Sequence, residues 1–170
     1  MKLINKLSIV VSVYNEEAVL DKFYETILPI LEGIDSDYEL IFVNDGSRDA
    51  SPAILDRLAM DSKKVKVIHF SRNYGHEAAM IAGIDYSSGD GIVCMDADLQ
   101  HPVECIPQIL DTFNQGYEVI SMVRTANKSA GFVKNLTSGL FYKILNKISE
   151  VHFEENASDF FAITKKPAEV

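Results

Sequence analysis

Asp96-Ala97-Asp98 combines residue types and spacing suited to chemistry. In an extended stretch, residues two apart point the same way, so two carboxylates can share one divalent cation and the phosphates it binds. Gln100 continues that face as a neutral oxygen ligand. An isolated Asp-x-Asp is more often a solvated loop. This one ends an apolar strand, where two carboxylates held at a sheet edge repel each other unless a cation offsets them.

Asn44-Asp45-Gly46-Ser47 consists of turn-forming residues and reads first as a tight turn. Its sharper reading has the Asp45 carboxylate accepting from an N–H of a nucleotide base, with Tyr14 and Glu16 flanking base and ribose from the neighbouring strand. The four histidines are scattered. His69 reads as a structural residue on a strand, and His76, His101 and His152 as loop or surface residues, so a histidine-based metal site is not expected. Cys94 and Cys105 read as reduced thiols. No Gly-x-Gly-x-x-Gly follows the first strand and no Gly-x-x-x-x-Gly-Lys-Ser/Thr occurs, which argues against a dinucleotide oxidoreductase and a P-loop NTPase.

These residues need elements to bring them together, and the chain supplies a βα rhythm. Leu7–Tyr14 is a short β-branched run that reads as a buried strand. Asn15 is placed to cap a helix over about 17–31, whose Val19, Phe23, Ile27 and Ile30 or Leu31 share a face. Glu39–Val43 is a second strand, followed by a helix opened by Ser51-Pro52. Val65–Phe70 is a third, followed by a small-residue helix from Glu77 to about Tyr86. Gly91–Met95 is a fourth and runs directly into Asp96. Four such repeats imply a parallel sheet with right-handed crossovers, and ligands of such sheets bind at the carboxyl ends of the strands. The polar clusters lie at those ends. Ile106-Pro107 then starts a helix, Tyr117–Val123 reads as a strand, and Val133, Leu140, Phe141, Ile144, Leu145 and Ile148 share one helical face.

The net charge of the 170 residues is −9, which excludes nucleic acid as a partner read by bulk electrostatics. That average conceals a contrast. Residues 124–147 carry Arg124, Lys128, Lys134, Lys143 and Lys147 and no acid, a local +5 against −14 for the remainder. The segment reads either as an amphipathic helix with a solvated basic flank or as a surface for anionic phosphates or lipid headgroups. The N-terminal apolar run is too short and polar for a signal sequence, and no run approaches the roughly 18 apolar residues of a membrane span. The sequence as it stands therefore reads as a cytoplasmic, soluble chain forming one domain, 1–170.

Taken together, Val13-Tyr14-Asn15-Glu16-Glu17, Val43 to Asp49, Ser71-Arg72-Asn73-Tyr74-Gly75 and Asp96 to Pro102 resemble the inverting nucleotide-sugar glycosyltransferases of family 2 with the GT-A fold. Within them the chain most resembles the polyprenyl-phosphate group, that of dolichyl-phosphate mannose synthase and bactoprenol glucosyltransferase. The resemblance implies a Rossmann-like, parallel-dominated α/β sheet with helices on both faces. It implies that Tyr14, Glu16 and Asp45 hold the nucleoside, that Asp96 and Ala97 line the sugar-diphosphate pocket, and that Asp98 and Gln100 ligate Mg²⁺ or Mn²⁺. Arg124 would reach the donor or acceptor phosphates, and Lys134 with Ser138 the lipid phosphate. Asp159, in Asn156-Ala157-Ser158-Asp159-Phe160, would join Asp98 as a catalytic carboxylate, orienting the acceptor. The implied partners are a UDP- or GDP-sugar and a polyprenyl phosphate at the inner face of the cell membrane. Peripheral membrane contact goes with these, as does an oligomer, in a domain truncated at its C-terminus and belonging to a membrane-anchored protein. The alternatives are a polysaccharide or glycan acceptor, and a nucleotide-sugar-binding module without turnover. Two departures stand out: Ser12 replaces the usual Pro, expected to alter only strand shape, and Phe161 replaces the Arg expected after Asp-Phe.

Overall fold

The computed structural model describes residues 4–123 and 157–165. The chain divides into two compact units, Met1–Ile120 with Asp159–Val170 and Ser121–Ser158. The elements described below lie in the first, apart from Ser121–Val123 and Ala157–Ser158.

Four strands, each followed by a helix, build the parallel part of the sheet as the rhythm predicts. Strands β1 (Lys6–Val13), β2 (Asp37–Asn44), β3 (Val65–His69) and β4 (Gly91–Asp96) are joined through helices α1 (Leu20–Gly33), α2 (Ser51–Asp61) and α3 (His76–Tyr86). β1 pairs in parallel with β2 on one edge and β4 on the other, and β3 lies outside β2. After helix α4 (Ile106–Asn114) come β5 (Val119–Val123) and β6 (Ala157–Thr164), giving the order β3-β2-β1-β4-β6-β5. β1 and β2 are buried along most of their length, as continuous apolar runs require when both faces of a parallel sheet are covered.

Side-chain alternation along the strands divides the core between the two faces. Ile41 and Val43 pack with Ala79 and Met80 of α3, whereas Phe42 points the other way and meets Phe23 of α1 edge to face at 6.1 Å. Small residues in α3 allow a close approach to the sheet: a Cβ on Gly83 would sit 2.2 Å from Val10 Cγ1. On α1, Leu20, Phe23, Ile27 and Leu31 are buried at helical spacing.

Two expectations need correction. α1 begins at Leu20 rather than near residue 17, and Asn15 does not cap it. Asn15 adopts φ 56° and its Oδ1 accepts the Arg48 N–H at 2.8 Å, so it fastens a neighbouring loop. β6 is a strand the periodicity reading passed over. It runs antiparallel to β4, from Gly91 opposite Thr164 to Cys94 opposite Phe161. Its aromatic and β-branched run Phe160–Thr164 was the available signal, and it supplies β4 with a hydrogen-bonded partner on its second edge.

Near the amino end of β2, Glu39 is buried at 2% exposure yet accepts from Lys6 Nζ at 2.8 Å, Lys66 Nζ at 2.7 Å, Ser8 Oγ at 2.6 Å and the Ser88 N–H at 2.7 Å. Burial alone would raise its pKa, but the bonds from Lys6, Lys66, Ser8 and Ser88 outweigh burial and hold the carboxyl well below its usual range. A group depressed in the folded state stabilises fully above its ordinary pKa and loses that contribution as pH falls. Stability should therefore decline from pH 4.5, the ordinary glutamate value, downward, and Glu39→Gln should flatten this acid limb in pH-dependent urea unfolding. Because both lysines stay partly in water, Glu39→Ala should cost about 2 kcal/mol, less than stranding an isolated buried charge.

Candidate functional site

β1 has parallel neighbours on both edges, and a crevice opens at the carboxyl ends where the connections diverge. A cavity of about 320 Å³ lies there. Ser12, Tyr14 and Glu16 line it from the end of β1, Asp45 from the end of β2, and Asp96, Ala97 and Asp98 from the end of β4. Asn73 from the β3–α3 connection and His76 from the start of α3 also line it.

The loops that carry these groups are fastened to one another. The Asn15 N–H donates to Ser47 Oγ, the Glu16 N–H to Ser51 Oγ and the Glu17 N–H to Asp49 Oδ2, at 2.9, 2.9 and 3.0 Å. In return, the Ala50 N–H donates to Glu17 Oε2 at 2.7 Å. The polar residues after β2 thus hold the loop that presents Tyr14 and Glu16. Asp45 performs the equivalent task for the next loop. Its carboxylate accepts from Asn73 Nδ2 at 2.8 Å and from the backbone N–H groups of Tyr74 and Gly75 at 2.6 and 2.9 Å. Gly46 allows that close approach: at φ 68° a Cβ would fall 2.3 Å from the Arg72 carbonyl carbon.

Two histidines that the sequence placed on loops or the surface surround Asp96: His101 does lie in the loop after β4 but away from the surface, and His76 is the first residue of α3. His101 is buried, stacks on Phe160 at 5.2 Å between ring centroids, and its Nδ1 accepts the Asp96 N–H at 3.1 Å. His76 borders the cavity with Nδ1 3.2 Å from Asp96 Oδ1. Ser12 does more than alter strand shape, because its hydroxyl donates to Asp96 Oδ1 at 2.9 Å. No periodicity marks these residues; the pairing of β1 with β4 sets Ser12 beside Asp96, while the start of α3 and the loop after β4 bring in His76 and His101.

Asp98 Oδ1 accepts the Gln100 N–H at 2.9 Å, closing a turn around Leu99, which adopts φ 61°. Gln100 is exposed and lies outside the cavity lining. Asp159 is on β6. Arg124, Lys134, Ser138, His152 and the predicted helical face from Val133 to Ile148 lie outside the described residues.

The cavity is strongly acidic. Glu16, Asp45, Asp96 and Asp98 line it with no lysine or arginine among the described residues. Burial, and then repulsion from Asp98, Asp96 and Asp49, pushes the Glu16 carboxyl above its usual range. A cation at this rim would offset that repulsion. Among the described residues no group of three or more His, Cys, Asp or Glu side chains is arranged to hold a metal. The carboxylates of Asp96 and Asp98 fit a divalent cation bound through one or two of them and completed by substrate phosphates.

Residues 8–169 match the profile described as Glycosyl transferase family 2. The chain belongs to that family. Among relatives of this family 2 domain, the glycosyltransferase YkcC of Bacillus subtilis is 42% identical over 94% of the chain and 49% of its own length. The bactoprenol glucosyl transferase of Shigella phage SfV is 38% identical over 96% of the chain and 53% of its own. The domain thus spans about half the length of these curated relatives. Its GT-A fold is shared with glucosyl-3-phosphoglycerate synthase of Mycobacterium tuberculosis in complex with UDP, at TM-score 0.66 and 21% identity over 95% of this chain and 57% of that one. It is shared also with the mannosyltransferase PcManGT of Pyrobaculum calidifontis in complex with GDP-Man and Mn²⁺, at TM-score 0.65 and 16% identity over 98% and 46%. No helix among the described residues is long and apolar enough to cross a membrane.

Asp45 gives a direct check on how the family 2 domain builds its rim. Asp45→Ala should strip protection from the Tyr74 and Gly75 amides in hydrogen exchange and cost about 3 kcal/mol of stability, while amides of β1 keep their relative order of protection.

Proposed function

We propose that the protein transfers a sugar, with inversion, from a UDP- or GDP-sugar to a polyprenyl phosphate, using a divalent cation. The observation that carries this reading is the acidic cavity at the switch point of a family 2 domain, where Glu16, Asp96 and Asp98 gather without a lysine or arginine among the described lining. Bactoprenol glucosyl transferase as a 38% identical relative supports the lipid phosphate as acceptor. The donor class is supported by structural relatives in complex with UDP-glucose or GDP-Man together with Mn²⁺.

In this reading Tyr14 and Glu16 flank the nucleoside. Asp45 offers it little more than one acceptor position, since a carboxylate has about four and three are given to Asn73, Tyr74 and Gly75. Asp96 and Ala97 border the sugar diphosphate, and Asp98 with Gln100 would hold Mg²⁺ or Mn²⁺. When bound, such a cation stabilises the charge that develops on the departing diphosphate. The acceptor phosphate is already an anion near neutral pH, so the protein mainly has to position it. Arg124, Lys134 and Ser138 take that task, with Asp159 as an orienting carboxylate. The basic segment 124–147 suits the anionic inner surface of a membrane, where the domain would act peripherally.

A thermal-shift screen of UDP, GDP, CDP and dTDP with Mn²⁺ tests the donor site, because stabilisation grows with ligand concentration over Kd and reaches about 2.7 kcal/mol at a hundredfold excess. One base should stand out. Asp98→Asn should remove the Mn²⁺-dependent part of that shift, and an unchanged shift would overturn the metal assignment.

A further inference from the structure

The roles above leave two groups at the cavity wall unused, and both converge on one oxygen. Ser12 Oγ donates to Asp96 Oδ1 at 2.9 Å, while His76 Nδ1 lies 2.9 Å from Ser12 Oγ and 3.2 Å from the same Asp96 oxygen. A serine hydroxyl has one proton. With that proton on Asp96, Ser12 can only accept from the imidazole, so His76 carries its hydrogen on Nδ1 and donates it to the Ser12 hydroxyl, with the Asp96 carboxylate beside it. Asp96 Oδ2 has no protein partner among the described residues, and the Asp96 backbone N–H is fixed on buried His101. The carboxylate is thus held at its backbone and at Oδ1, and Oδ2 is the atom left for a ligand.

We propose that His76, with Ser12, is a positioning residue of the donor site: holding Asp96 Oδ1 locks the carboxylate in one orientation, so that Oδ2 receives a hydroxyl of the nucleotide sugar. This rests on the glycosyltransferase reading given above. A polyol donates to a carboxylate through a charge-assisted bond whose strength depends on alignment. A carboxylate fixed beforehand avoids ordering its side chain anew with each donor that binds. The imidazole acts through Asp96, so what it contributes is the geometry of that acceptor.

Side-chain geometry separates this role from a merely structural one. The Nδ2 of an asparagine can occupy the place of His76 Nδ1 and donate as it does, whereas the amide of a glutamine stands nearer the place of Nε2. In the full-length protein, titration calorimetry with UDP-glucose and with GDP-mannose in Mn²⁺ should show His76→Ala and His76→Gln weakening donor affinity about tenfold. His76→Asn should remain within about threefold of wild type, and Ser12→Ala should lose about threefold. The ligand-free thermal midpoints of His76→Asn and His76→Gln should coincide, so that a difference in affinity between them reports alignment rather than folding. Equal affinity in His76→Ala and wild type, or equal weakness in His76→Asn and His76→Gln, would overturn the role while leaving the functional reading intact. Failure of the wild type to bind either nucleotide sugar would overturn both.

Discussion

β1 is hydrogen-bonded in parallel along both edges, to β2 from Lys6 to Val13 and to β4 from Leu7 to Ser12, and the rim depends on this double pairing. Parallel strands end on the same side, so the residues after β1, β2 and β4 are delivered to one place whatever their separation in sequence. Register sets the finer detail. Ser12 stands opposite Asp96, which puts a hydroxyl on a carboxylate 84 positions away. Asn44 stands opposite both Val13 and His69, which brings the three connecting loops within reach of one another.

The two ends of the sheet treat acidic groups in opposite ways. Glu39 meets two lysines, two serine hydroxyls and a backbone N–H, and its carboxyl is driven well below its usual range. Glu16 at the carboxyl end has Asp98, Asp96 and Asp49 around it, and its carboxyl is raised. Compensated charge stabilises the fold, while charge left uncompensated is available to a ligand. The same contrast distinguishes Asp45 from Asp96. Both line the cavity, but Asp45 gives its oxygens chiefly to a loop, and Asp96 keeps Oδ2 clear of protein partners among the described residues.

Rigid loops at this rim come from side chains that a local reading assigns elsewhere. Asn15 looks like a helix cap and instead accepts from Arg48. Ser47 and Asp49 look like turn residues and Ser51 does open α2, yet all three also receive the backbone N–H groups of Asn15, Glu17 and Glu16. In each case the partner lies more than 30 residues away, beyond what periodicity or capping rules address.

The βα alternation, the parallel sheet and the position of Asp96-Ala97-Asp98 at a strand end were all legible in the sequence, because buried parallel strands read as continuous apolar runs and their ends as abrupt polar ones. The clustering of Tyr14, Glu16, Asp45, Asp96, Ala97 and Asp98 followed from that topology alone. The antiparallel β6 was not legible as part of the sheet, since an edge partner is chosen by what β4 leaves open rather than by its own pattern. Nor were His76, His101 and Ser12 as the surroundings of Asp96. The sequence by itself determined that the segments after β1, β2 and β4 reach one rim. Only the tertiary structure decided which of their residues hold one another and which remain for a ligand, because hydrogen-bond partners are set by register and loop packing between distant segments.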